Sequence, residues 1–328
     1  MPKVIVFATS FLDELVTHPP GEGRAKKMLL DAAARHGIAV DFCCDRDPSE
    51  PMTIEELEGA VAVIADLEEY DASLLSRVGP AAGGSLRLIA RYGIGCNSID
   101  IQAAVTAGIL VSNTPGANAL PTAEWTLATI IDVAGRRIHH HKGAAQGHLK
   151  SGPSRLDISG KTLGVVGMGH VGTRVVSLFK GFDMRIISHD RSPDFEWFKR
   201  HGVEPVDLPT VCREADFITL HTSGGIQIIG AAELALMKPT AVLVNCARRV
   251  HVDNRLVYEA VRDGRIWGYG IDEVWTCEDL PLDGLNIIAS PHVGSDTDIG
   301  KVNMQLGSAR SVVDFLEGRP QKHPVTGV

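Results

Sequence analysis

Arg248 closes the apolar run VLVNCAR, and His292 closes the run NIIASPH. Both runs read as buried strands, so both side chains stand where strands end. A guanidinium presents a fixed fork of N–H donors suited to a carboxylate or a carbonyl oxygen. An imidazole titrates near neutrality and can give or take a proton. A third feature, GVVGMGHVG, sets Gly167, Gly169 and Gly172 in G-x-G-x-x-G spacing. It follows the strand-like TLGVVG and opens the helix-like VGTRVVSLF. There Gly167 permits a tight turn, Gly169 lets a pyrophosphate come close, and Gly172 lets helix and strand pack closely. The N–H groups at the helix start, around His170 and Val171, are free to hold phosphates. The next strand-like run, RIISHD, ends at Asp190. A carboxylate there accepts hydrogen bonds from adenosine ribose hydroxyls and repels a 2′-phosphate, so the reading is NAD over NADP. Arg191 follows directly and softens that repulsion.

These groups need a sheet to hold them. TLGVVG, RIISHD, FITLH, VLVN, IWGYGID and NIIASPH are six apolar strands separated by helix-like stretches such as DNRLVYEAVRDG. Apolar strands alternating with helices imply a parallel sheet covered on both faces, with ligands at the carboxyl ends of its strands. Ahead of them KVIVFA, AVDFCC, AVAVIA and LRLIARYG alternate with helical patterns such as GRAKKMLLDAAARHG, a separate α/β unit. Between the two, PTAEWTLATIIDVAGRRIHHHKGAAQG reads as one long helix opened by Pro121.

A chain of 328 residues, 44% hydrophobic and 22% charged, suits two domains with sizeable cores. The net charge of −8 and the lack of long basic runs exclude nucleic acid and acidic membranes as main partners. No apolar run approaches the ~18 residues of a membrane span, and the first residues read as a strand rather than a signal peptide. Six cysteines without a C-x-x-C pair read as reduced thiols in a cytoplasmic protein. No metal is expected. His139, His140 and His141 invite that reading, but consecutive helix residues point ~100° apart and cannot share one ion.

With these residues in place, the chain resembles the D-isomer-specific 2-hydroxyacid dehydrogenases, including their phosphoglycerate dehydrogenase-like and hydroxypyruvate or glyoxylate reductase-like members. The resemblance is carried by LIARYGIGCNSID, GILVSNTPGANALPTAEWTLA, ISGKTLGVVGMGHVG, ELALMKPTAVLVNCAR, IIASPHVGSDT and LEGRPQKHPV, in that order. It implies a Rossmann-type NAD domain, residues 100–296, inserted in a flavodoxin-like substrate domain, residues 1–99 and 297–328. It also implies a homodimer built around the helix after Pro121. The reaction implied is hydride transfer between nicotinamide and a small 2-keto or 2-hydroxy acid. Hydroxypyruvate or glyoxylate is favoured, because the loop after the first strand, ATSFLDEL, carries no cation for a second anionic group. Phosphoglycerate dehydrogenase proper, a formate- or phosphite-oxidising relative and a nonenzymatic NAD-sensing regulator on the same fold are the competing readings.

The resemblance assigns roles residue by residue. Arg248 binds the substrate carboxylate and carbonyl, and the backbone of Gly93, Ile94 and Gly95 approaches the carboxylate. His292 is the proton donor in reduction. Asp272 bonds the nicotinamide carboxamide, while His221, Thr222, Cys246 and Ala247 line the cofactor. Two departures stand out. LHTSGGIQIIG lacks the family's His-x-Pro-Leu-Thr sequence, and Arg249 and Val250 replace its usual glycines. The family also supplies an acid for the histidine. Counting from Asp272 lands on Cys277, whereas anchoring on the dipeptide Val274–Trp275 lands on Glu278. A carboxylate stabilises imidazolium better than a largely neutral thiol, so Glu278 is favoured, with Asp279, Glu273 and Cys277 as alternatives.

Overall fold

The computed structural model describes residues 1–12, 23–149, 154–277 and 279–326. The chain forms two compact units, residues 1–118 with 296–328 and residues 119–295. The first unit carries five strands: β1 (Lys3–Val6), β2 (Ala39–Phe42), β3 (Ala60–Ala65), β4 (Leu88–Arg91) and β5 (Leu110–Ser112). They form one parallel sheet in the order β2-β1-β3-β4-β5, which is the flavodoxin-like arrangement. Alternate residues serve opposite faces, as strand geometry requires. Val4 and Val6 pack towards the helices Arg24–Arg35 and Asp298–Leu316, while Ile5 packs towards Ala72–Val78.

This unit extends further than its sequence suggests. β5 pairs with β4 through Leu88↔Leu110 and Ala90↔Ser112, so the boundary falls at 118/119 and not at 99/100. A three-residue strand after a short helix gives too weak a periodic signal to be seen alone. The C-terminal tail returns beside β5, where the Val325 N–H donates to the Val111 carbonyl at 2.8 Å.

The second unit carries β6 (Thr162–Val166), β7 (Arg185–His189), β8 (Val203–Pro205), β9 (Phe217–Leu220), β10 (Val242–Asn245), β11 (Gly268–Ile271) and β12 (Ile287–Ala289). All are parallel, in the order β12-β11-β10-β9-β6-β7-β8. This is the doubly wound dinucleotide topology with one strand beyond the six legible in the sequence. The extra strand is β8, whose short VEP run has no apolar pattern. Val242 and Val244 pack beneath the helices Ala119–Ala134 and His170–Phe179, and Leu243 packs against Asn254–Arg262 on the other face.

The long helix expected after Pro121 is two helices, Ala119–Ala134 and Arg137–Ala145. Between them Gly135 disfavours helix and Arg136 takes a left-handed φ of 47°. The Arg136 guanidinium lies 4.4 Å from the Trp267 ring centroid, a cation–π contact that offsets the strain.

Candidate active site

In the second sheet the chain order reverses direction between β6 and β9, which opens a crevice at their carboxyl ends. The glycine loop occupies that place. Gly167 has φ 95°, and a Cβ there would lie 2.8 Å from the His221 carbonyl carbon. A Cβ on Gly172 would lie 2.2 Å from the Gly167 oxygen, so only glycine lets the helix start this close to the strand. Above Gly169 a Cβ would meet nothing within 4 Å, which leaves the helix N-terminus His170–Phe179 open to a ligand.

Asp190 is held at the end of β7. Its Oδ2 accepts from the Met168 N–H at 2.6 Å and its Oδ1 from the Ser192 N–H at 2.7 Å. The acid is thereby tied to the glycine loop itself, and Arg191 beside it is exposed. Across the crevice, the His221 Nδ1 and the Thr222 Oγ1 are buried without a hydrogen-bond partner. Burial pushes His221 down to about 3, so its ring is neutral, and its Nε2 sits 2.9 Å from the Thr219 hydroxyl. Burial also pushes the Cys246 thiol up to about 12, which keeps it protonated. An open helix N-terminus, an acid beside it and orphaned polar atoms opposite fit a dinucleotide.

The remaining groups collect at the same edge of the sheet. β10, β11 and β12 are neighbours and parallel, so their carboxyl ends lie side by side. Arg248 follows β10, Asp272 and Glu273 follow β11, and His292 follows β12. Asn245, fully buried, shapes the first turn: its Nδ2 donates to the Arg248 carbonyl at 2.8 Å, and its Oδ1 accepts from the Ala247 N–H at 3.1 Å.

His292 stands on a strained turn, with a left-handed φ of 59°. For a non-glycine residue this costs on the order of 1–2 kcal/mol and persists only where the surroundings impose it. Asp272, 6% exposed, does so. Its Oδ1 accepts from the Ser290 hydroxyl at 2.7 Å and the Val293 N–H at 2.9 Å, and its Oδ2 accepts from the Gly294 N–H at 2.7 Å. Trp125 closes the arrangement, its Nε1 donating to the Ser290 hydroxyl at 3.2 Å. A Cβ on Gly294 would lie 2.6 Å from the Asp272 Oδ2 and 3.2 Å from Trp125.

His292 Nδ1 lies 3.1 Å from Glu273 Oε1. That hydrogen bond is the main reason the imidazole is held above its ordinary range, against partial burial. The same bond draws the Glu273 carboxyl below its ordinary range, with Arg248 and Arg249 adding to the shift. Arg248 acts in turn on His292, lowering it slightly, so cation, acid and imidazole share one small region.

The structure thus brings Arg248, Asp272, Glu273 and His292 together in the second unit. Gly93, Ile94 and Gly95 follow β4 in the first unit, where Gly93 has φ 126° and its N–H donates to the Thr114 hydroxyl at 3.1 Å. Glu278, favoured from the sequence as the partner of His292, lies outside the described residues. Asp279, one of the alternatives, is turned away and pairs with Arg255 at 2.6 Å. Glu273 was legible only as an alternative, and Trp125, Ser290 and Asn245 were not legible at all. The first two act through contacts with residues 18 or more positions away, which no local spacing encodes.

The family profile described as "D-isomer specific 2-hydroxyacid dehydrogenase, NAD binding domain" matches residues 127–294. The glyoxylate reductase of Korarchaeum cryptofilum is 34% identical over 287 residues, 83% of this chain and 84% of that one. The D-3-phosphoglycerate dehydrogenase of Methanocaldococcus jannaschii is 39% identical over 226 residues, 65% of this chain but 42% of its own length. Among solved structures, a Thermus thermophilus protein matches with a TM-score of 0.78 at 30% identity, covering 99% of this chain and 100% of the other. A glyoxylate reductase from Paecilomyes thermophila matches in fold, with a TM-score of 0.81 at 23% identity over 99% and 98% of the two chains.

Proposed function

Because the chain belongs to the D-isomer-specific 2-hydroxyacid dehydrogenase family, and is therefore an NAD-dependent oxidoreductase of 2-hydroxy acids, we propose that it reduces glyoxylate or hydroxypyruvate. The observation that carries the chemistry is the pairing of His292 with Glu273 on the sheet edge that also bears Arg248. Bound NADH supplies the hydride. The Arg248 guanidinium holds the substrate carboxylate and polarises its keto oxygen. With Nδ1 engaged by Glu273, the Nε2–H of His292 is the group left to pass its proton to the keto oxygen. Glu273 favours the imidazolium before transfer, and Asp272 keeps the His292 turn in place.

The choice of a small keto acid is supported by relatives named glyoxylate reductase, whose matches span 71% to 84% of this chain and 74% to 86% of their own length. Relatives named D-3-phosphoglycerate dehydrogenase are longer, and the match spans 42% to 56% of them. The same reading makes the protein a cytoplasmic homodimer joined through the helices after Pro121. Among the described residues no helix is long and apolar enough to cross a membrane. NADH oxidation over glyoxylate, hydroxypyruvate, pyruvate, longer 2-keto acids and phosphohydroxypyruvate tests the substrate. Highest kcat/KM on either of the first two is expected, and preference for the phosphorylated acid would overturn that choice. Light scattering reads the oligomer.

A further inference from the structure

His251 is fully buried, yet no step above uses it. Its two ring nitrogens face two backbone carbonyls of one segment, Nδ1 at 2.8 Å from Ile226 and Nε2 at 3.1 Å from Thr222. A carbonyl only accepts, so each contact is a hydrogen bond whenever that nitrogen carries a proton. The backbone of His251 holds the same segment. Its carbonyl accepts from the Ile228 N–H at 2.8 Å and the Ile229 N–H at 2.9 Å. Its own N–H donates to the Arg248 carbonyl at 3.1 Å. One residue therefore joins the stretch after β9 to the turn that bears Arg248.

The stretch needs such a tie. It contains Gly224, at φ 96°, and Gly225, neither of which would meet anything within 4 Å through a Cβ. Two unpacked glycines leave the backbone no stiffness of its own. Residues 223–227 are exposed, so packing does not fix them either. Yet the inner end of the stretch carries Thr222, whose buried hydroxyl is one of the orphaned atoms of the crevice.

We propose that His251 is a positioning residue that sets the segment Thr222–Ile229 for NADH binding. The inference rests on the reading that His221 and Thr222 line the cofactor. Without the ring, whichever of the Thr222 and Ile226 carbonyls it donates to loses that donor, the packing contact at the other is lost as well, the segment loosens, and its ordering is charged to cofactor binding. The effect falls on cofactor affinity more than on the chemical step.

The test compares the full-length wild type with His251→Leu, His251→Gln and Thr222→Val. NADH dissociation constants come from fluorescence titration without substrate, and kcat and KM from NADH oxidation. His251→Leu should weaken NADH binding roughly 5- to 30-fold, with a much smaller loss in kcat at saturating NADH. His251→Gln keeps a donor near the Nε2 position and should recover part of the loss. An unchanged dissociation constant in His251→Leu, or a loss confined to kcat, overturns the proposal. An unchanged constant in Thr222→Val removes the cofactor-lining reading beneath it, and is told apart because His251 is then intact. Should His251→Leu not fold, hydrogen exchange of the wild type decides. The Ile228 and Ile229 amides should be protected, and exchange at open-loop rates overturns the proposal.

Discussion

Glu273 Oε1 and His292 Nδ1 lie 3.1 Å apart, although the two residues are 19 positions apart in the chain. Strand register brings them together. β11 and β12 pair through Tyr269↔Ile287 and Ile271↔Ala289, so both chains leave the sheet at one level. The left-handed turn at His292 then directs the ring back towards β11. The two shifts have opposite signs, as a bond between an imidazolium and a carboxylate requires: it raises His292 and lowers Glu273.

Glu273→Gln removes the largest cause that raises His292. Keto-acid reduction uses the protonated ring, so the wild-type rate is full below the raised value and falls as pH climbs through it. In the variant the alkaline limb of the kcat/KM profile should move to lower pH, with a loss of about 10-fold or more at neutral pH. Glu278→Gln and Cys277→Ala, measured alongside, should leave that limb in place. A shift in Glu278→Gln with none in Glu273→Gln would transfer the role to Glu278.

His292→Gln removes the proposed proton donor and should leave the cofactor crevice intact. A loss of about 100- to 10,000-fold in kcat is expected, while the NADH dissociation constant stays within a factor of two. Rapid turnover by this variant would mean that another group delivers the proton.

Gly294→Ala places a methyl where the Asp272 carboxylate already sits, 2.6 Å from its Oδ2. One of the three hydrogen bonds that hold the His292 turn must yield. Destabilisation of about 1–3 kcal/mol is expected, read from the denaturant midpoint, together with a fall in kcat. Wild-type stability and turnover in this variant would show that the turn does not depend on Asp272.

Asp190→Ser removes the charge that opposes a 2′-phosphate next to Arg191. The ratio of kcat/KM with NADPH to that with NADH should rise at least about 10-fold. The Met168 N–H loses its carboxylate acceptor, so NADH affinity should fall as well. An unchanged ratio would mean that another group discriminates between the cofactors.

The cofactor half of the site was legible in the chain because its parts are local. Gly167, Gly169 and Gly172 lie within one strand–turn–helix unit, and Asp190 ends the next strand, so spacing alone relates them. Arg248 and His292 were legible for a related reason: apolar runs mark strands, and parallel strands must share a carboxyl edge. The family resemblance, carried by motifs over most of the chain, supplied the reaction. β5 and β8 were missed because three-residue strands are defined by their neighbours' hydrogen bonds and not by their own residues.

Among the described residues, it is the tertiary structure that brings an acid, Glu273, to the histidine. In the sequence Glu278 is favoured over Glu273, Cys277 and Asp279 on chemical grounds, because counting along a loop gives two different answers. Strand register and the φ of one residue put Glu273 on His292, and the Arg255 ion pair takes Asp279 elsewhere. It also gave Asp272 a second task, the support of the His292 turn, and gave His251 its carbonyl partners. Sequence periodicity determines which residues are buried and where strands end, because burial follows a local pattern. Which polar groups then meet across the sheet edge depends on distances of a few ångströms between chain-distant atoms, and only the folded sheet sets those.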